Sequence, residues 1–150
     1  MRNAAEIVIG RPPEAVFEYM DVPENQARIS PRLSNVETLG TFDNGGKRAS
    51  YTYQLLGLEF DGEVHGTVHD PPERIVFDLT GDIEGRIEWE FEATEGGTRV
   101  RYTAEYDLGL PQVAELLLRP VTNWDNRREL KQILRQLAKR VAVDEDARSA

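Results

Sequence analysis

Between Asn35 and Asp107 apolar and polar residues alternate with a period of two, the signature of strands with one face buried. Turn signals divide this stretch at Asp43-Asn44-Gly45-Gly46, Asp70-Pro71-Pro72 and Glu95-Gly96-Gly97, so a meander of about six antiparallel strands is predicted. In the run from Leu58 to His69, the residues Leu58, Phe60, Gly62, Val64, Gly66 and Val68 share one face. Glu59, Asp61, Glu63, His65, Thr67 and His69 share the other. Downstream, Ile75, Phe77 and Leu79 alternate with Arg74, Val76 and Asp78, and Ile87, Trp89 and Phe91 with Arg86, Glu88, Glu90 and Glu92. Val100, Tyr102, Ala104 and Tyr106 alternate in the same way with Arg99, Arg101, Thr103 and Glu105. The expectation is a sheet with one dry face and one wet face.

Two other patterns flank the meander. The apolar run Ala4 to Ile9 ends at Gly10-Arg11-Pro12-Pro13, a strand entering a turn. A short helix is predicted from Pro13, with Glu14 at its positive pole and Ala15, Val16, Tyr19 and Met20 at helical spacing. A second begins after Asp21, its candidate N-cap, and closes near Ile29 ahead of Pro31. Beyond Leu110-Pro111 a helical pattern begins, is interrupted at Pro120, and resumes through Val121 to about Val143. Leu130, Ile133, Leu134, Leu137 and Val141 form its apolar stripe. Residues 1–143 are therefore read as one domain, and 144–150 as a disordered acidic tail.

A strand, two short helices, a meander and a long last helix make an α+β chain whose sheet must be covered on one side by that helix. A sheet of this length curls, and one helix across its concavity leaves space unfilled. The chain also resembles the START-like superfamily, also called SRPBCC or Bet v 1-like, and within it the polyketide cyclase/dehydrase group. The resemblance rests on Ile7-Val-Ile-Gly-Arg-Pro-Pro-Glu-Ala-Val-Phe-Glu-Tyr-Met-Asp21, on Gly97-Thr-Arg-Val-Arg-Tyr102, and on the last helix with Asn126 and Leu130-Lys131. It implies the helix-grip fold, a curved antiparallel sheet of about seven strands wrapped around a C-terminal helix, and an internal cavity. Such relatives differ widely in what they bind, so fold alone leaves function open.

Composition narrows the classes. The chain has 150 residues, 39% hydrophobic and 30% charged, with 12 Gly and 8 Pro, and this is globular usage for one domain. It has no cysteine, which removes disulfides, thiol nucleophiles and Cys-ligated zinc, and accords with a cytoplasmic setting. A formal charge of −9, from 27 acidic against 18 basic residues, argues against nucleic acid and anionic membranes. No signal peptide or membrane span is expected from the N-terminal residues.

By alternation Tyr51, Tyr53, Trp89, Tyr102 and Tyr106 fall on the dry face. They form either a cavity wall whose hydroxyls orient a flat apolar ligand or a plain aromatic core. On the last helix Asn123, Asn126 and Arg127 project on or beside the apolar stripe, and buried there they would need polar partners in the sheet or on a ligand. If Pro120 resets the helical phase, they are solvated instead. Trp124 lies off the stripe. His65 and His69 sit on the wet face about 13 Å apart along the strand, too far to share a metal ion. The rows Glu59-Asp61-Glu63 and Glu88-Glu90-Glu92 read as an ion-paired surface, with Arg99 and Arg101 as partners on a neighbouring strand. No metal site and no cofactor are expected, and Asp43-Asn-Gly-Gly46 lacks the ending of a phosphate-binding loop.

Three functions follow as expectations. The first is binding of a hydrophobic small molecule (lipid, polyketide or isoprenoid-like) by a carrier or sensor, either a monomer or a homodimer. The second is a cyclase/dehydratase-like enzyme in which Arg127 or a tyrosine polarises a ketone; the predicted cavity offers no buried His and few carboxylates for such chemistry. The third is a protein-interaction module, which a large exposed apolar patch would favour.

Overall fold

The computed structural model of the chain describes residues 2–55, 57–107 and 131–142. Its elements run β1 (Arg2–Ile9), α1 (Pro13–Met20), α2 (Pro23–Ile29), β2 (Leu33–Thr41), β3 (Lys47–Leu55), β4 (Leu58–Asp70), β5 (Arg74–Gly81), β6 (Glu84–Thr94) and β7 (Gly97–Asp107). A further helix, α3, occupies residues 131–142. The seven strands form one antiparallel sheet in the order β1-β7-β6-β5-β4-β3-β2. Six are a meander, and β1 returns to pair with β7 along Arg2↔Glu105 to Ile9↔Thr98.

Proline starts both short helices without a side-chain cap, since its missing N–H belongs to the first turn, where no intrahelical acceptor exists. Asp21 does not cap α2 as the sequence pattern suggested. The N-cap is Val22, and Asp21 instead ends α1, its backbone N–H bonding Phe17 O. The corner between the helices is held by amides of α2. Asn25 Nδ2 donates to Tyr19 O at 2.9 Å and Gln26 Nε2 to Met20 O at 3.4 Å, satisfying carbonyls left open at the end of α1.

The expected alternation fails at one place in β4. Gly66 pairs with Phe77 but Val68 pairs with Val76, so Thr67 is an extra residue and the strand changes face across it. Val68 moves to the outer face, and His69, opposite Ile75, moves to the inner one. A Cβ on Gly66 would stand 2.8 Å from Gly46 Cα, so glycine at both positions lets the β2–β3 turn dock on this bulge. Asn44 Nδ2 completes the dock with bonds to Gly66 O at 3.1 Å and Thr67 O at 3.2 Å. Two smaller departures accompany it. Val76, on the face expected to be wet, is fully buried, and Leu58, expected to be dry, is half exposed at the β3–β4 turn.

On the outer face the acidic rows are paired, but mostly by other arginines than expected. Arg48 Nε lies 2.7 Å from Glu63 Oε1 and Arg74 Nε 2.6 Å from Glu88 Oε2. Arg99 does reach Glu92 at 3.7 Å, whereas Arg101 turns to Glu6 of β1 at 3.4 Å.

The inner face carries two apolar clusters. In the larger, Ile133, Leu134, Leu137 and Val141 of α3 pack with Val16, Phe17 and Met20 of α1 and with Phe91 and Val100 of the sheet. The second, around Tyr51, Leu55, Phe60, Leu79 and Ile83, lies toward β2 and β3. Val64 and Ile87 border both. The α3 stripe is thus buried against the sheet at Ile133, Leu134, Leu137 and Val141, while Leu130 lies outside the described residues.

Candidate functional site: an apolar cavity between the two clusters

A cavity of about 130 Å³ lies where the two clusters fail to meet. It is comparable to the ~150 Å³ engineered cavity that takes up benzene. Its described wall draws Ile29 and Trp89 from the first cluster, Tyr51 and Leu79 from the second, and Ile133 of α3. None of the described lining residues is charged.

All five aromatic residues singled out from alternation, Tyr51, Tyr53, Trp89, Tyr102 and Tyr106, are brought to this wall. Trp89 and Tyr102, register partners on β6 and β7, stack with centroids 4.6 Å apart and planes tilted by 59°. Tyr51 stands opposite Gly62 on β4, and a Cβ at Gly62 would lie 3.0 Å from the tyrosine Oη. The missing side chain is what lets the phenol lie across β4. Asn123, Asn126 and Arg127, with Trp124, lie outside the described residues.

Two polar atoms on this wall stand out. Tyr51 Oη and Trp89 Nε1 are buried, and neither has a hydrogen-bond partner among the described residues. Burial, reinforced by the negative charge of Asp82, pushes the Tyr51 hydroxyl up to about 12, so it keeps its proton across the neutral range.

The sequence reading missed Asn3, Gln26, Ser30 and Ser50, which also line the cavity. Asn3 was within reach of the same alternation, since Ala5, Ile7 and Ile9 follow it on the inner face of β1. Gln26, on a seven-residue helix too short for its polar positions to show a face, and Ser30, just past its end, carried no such signal.

His69 is also placed differently from the expectation of a surface residue. Its ring packs edge-on against Phe17 at 5.3 Å, and its Nε2 lies 2.9 Å from Asp21 Oδ1. His65 remains on the outer face, 3.1 Å from Glu63 Oε1. Among the described residues no group of three or more His, Cys, Asp or Glu could hold a metal ion, and no helix is long and apolar enough to cross a membrane.

A curved antiparallel sheet gripping a C-terminal helix over an apolar cavity is the architecture of the START-like, or Bet v 1-like, superfamily. Within it the chain belongs to the family described as polyketide cyclase / dehydrase and lipid transport, which it matches over residues 2–142. Among solved structures it is similar to TTHA0849 from Thermus thermophilus, at TM-score 0.83 and 22% identity, covering 96% of this chain and 99% of that one. It is similar to the Zhui aromatase/cyclase from Streptomyces sp. R1128, at TM-score 0.78 and 13% identity, over 95% of this chain and 93% of that one. A START superfamily protein from Mycobacterium smegmatis aligns at TM-score 0.73 and 13% identity, over 94% and 97%. At these identities the likeness is one of fold. No curated protein matches the chain.

Proposed function

We propose that the protein binds a hydrophobic small molecule in the cavity between its two apolar clusters and acts as a carrier or sensor of it. The observation that carries this reading is the wall itself, apolar and aromatic, with no charged residue among those described. Apolar burial supplies the affinity, at about 25 cal/mol per Å² removed from water, and a few polar groups set orientation. Tyr51, Tyr53, Trp89, Tyr102 and Tyr106 are the described residues assigned to the ligand. Asn123, Asn126 and Arg127 are assigned to it from the sequence pattern alone.

The family description and the aromatase/cyclase neighbour favour a second reading, catalysis on a bound poly-ketone. It ranks lower because moving protons needs a group that titrates near neutrality. The described wall has no His, Asp, Glu, Lys or Cys, and Tyr51 is pushed away from that range.

Native mass spectrometry on protein purified gently from its own host tests the proposal. A copurified small molecule, lost on denaturation, is the expected result. Its repeated absence, together with no uptake of apolar dyes, would overturn the proposal. Turnover of a poly-β-ketone mimic would promote the second reading.

A further inference from the structure

The cavity wall pairs an apolar lining with two unsatisfied donors. Tyr51 is 7% exposed and Trp89 2%, and neither Oη nor Nε1 finds a partner among the described residues. A buried polar group left unpaired costs about 1–3 kcal/mol, and a phenylalanine would supply the Tyr51 ring without the hydroxyl. A receptacle for hydrocarbon alone has no use for either atom.

The two donors are also separated. Tyr51 reaches from β3 across Gly62 on β4, and Trp89 stands on β6, two strand spacings further along the sheet. In register Gly62 stands opposite Gly81 and Trp89 opposite Ile75, six residues apart along β5, so the two side chains meet the cavity from opposite ends of that strand. Charge narrows the ligand further. No cation is present among the described lining residues to neutralise a carboxylate, and Asp82 adds a negative field at Tyr51, so the selection against carboxylates holds where Tyr51 and Trp89, rather than Arg127, meet the ligand's polar groups.

Resting on the small-molecule reading above, we propose that Tyr51 Oη and Trp89 Nε1 are paired specificity donors. They select an uncharged, flat ligand with two separated acceptor oxygens, such as ring ketones, over hydrocarbons and over carboxylates. Indole N–H can only donate, and a phenol that keeps its proton has an O–H to give, so an acceptor oxygen satisfies each.

Three compounds of one shape test this: duroquinone, with carbonyls at opposite ends of a methylated ring; durene, with none; and tetramethylbenzoate, which is anionic. Calorimetric titration is expected to rank duroquinone at least tenfold tighter than the other two. Tyr51→Phe should weaken duroquinone by about 3- to 10-fold, the worth of one hydrogen bond, and leave durene unchanged, whereas Trp89→Phe, which also removes part of the wall, should narrow the ratio of duroquinone to durene affinity by the same factor. In proton–nitrogen spectra the Trp89 indole N–H, assigned by its loss in Trp89→Phe, should move downfield with duroquinone but not with durene. Equal affinity for durene and duroquinone, or an unmoved indole signal, would overturn the donor assignment while the cavity reading stands. Tightest binding of tetramethylbenzoate would overturn the charge selection. Failure of all three to bind would remove the cavity reading along with the inference.

Discussion

His69 Nε2 lies 2.9 Å from Asp21 Oδ1, joining the end of β4 to the corner where α1 passes into α2. Lys47 Nζ, at the start of β3, approaches the other carboxylate oxygen at 3.6 Å. One side chain thus ties the helical corner to two strands. Both partners are mostly shielded, with side-chain exposures of 24% for Asp21 and 12% for His69, so removing the carboxylate leaves a shielded ring nitrogen without its partner. Asp21→Ala is expected to lower stability by about 1–3 kcal/mol. Urea unfolding followed by far-UV circular dichroism measures it, and a midpoint unchanged from wild type would show that the corner is held without this carboxylate.

Glu63 gives a prediction in pH. Hydrogen bonds from Arg48, at 2.7 and 3.1 Å, and then from His65, hold its carboxyl down to about 2, against an ordinary value of 4.5. A depressed folded value means that the contribution to stability is present above the unfolded value and is lost as pH falls from about 4.5 toward 2. Carbon-detected titration of the Glu63 carboxyl should show its midpoint well below those of unpaired glutamates. Arg48→Ala should return most of the shift. A midpoint near the ordinary value in the wild type would contradict the pairing.

How much of this was legible in the chain depends on what each feature requires. The strands of the meander and the inner positions of Tyr51, Trp89 and Tyr102 followed from alternation, because a sheet with one buried face writes its period into every run. The placement of His69 did not, because a bulge costs one residue and leaves no residue type that announces it. Thr67 looks like any outward-facing threonine, and only the pairing of Gly66 and Val68 with β5 shows where the phase slips. Asp21 was misread for a related reason. An aspartate before a helix has the composition of a cap whether its carboxylate turns to the helix or to a histidine 48 residues away. The existence of the cavity followed from the fold, but its bare polar atoms did not, since a tyrosine on a dry face reads the same with or without a partner.

Glycine at position 62 is a packing requirement. A Cβ there would collide with Thr80 O and press on Tyr51 Oη at 3.0 Å. Gly62→Ala should therefore cost about 1–3 kcal/mol through overpacking and displace the Tyr51 ring into the cavity. Gly40, where an added Cβ meets nothing within 4 Å, serves as the control, and its alanine variant should be close to neutral. Equal stability of the two variants in thermal melts would show that β4 and β5 adjust freely at this crossing.

The last prediction concerns what a ligand-directed donor does to the free protein. Tyr51 Oη is buried with no partner among the described residues, so the empty protein bears a desolvation cost that a phenylalanine would not. Tyr51→Phe should raise the stability of the unliganded protein by about 1 kcal/mol near neutral pH, the opposite sign to its effect on affinity. The same hydroxyl gives an alkaline signature. Its folded value, raised to about 12 from 10.0, means that the neutral phenol favours the fold at any pH below the unfolded value. That contribution is lost as pH climbs from 10.0 toward 12, when the unfolded chain releases the proton first. Wild-type protein should therefore destabilise more steeply than Tyr51→Phe across that window, as read by urea midpoints at stepped pH. Parallel curves, or a loss of stability in Tyr51→Phe at neutral pH, would mean that the hydroxyl is satisfied within the fold and is not held for a ligand.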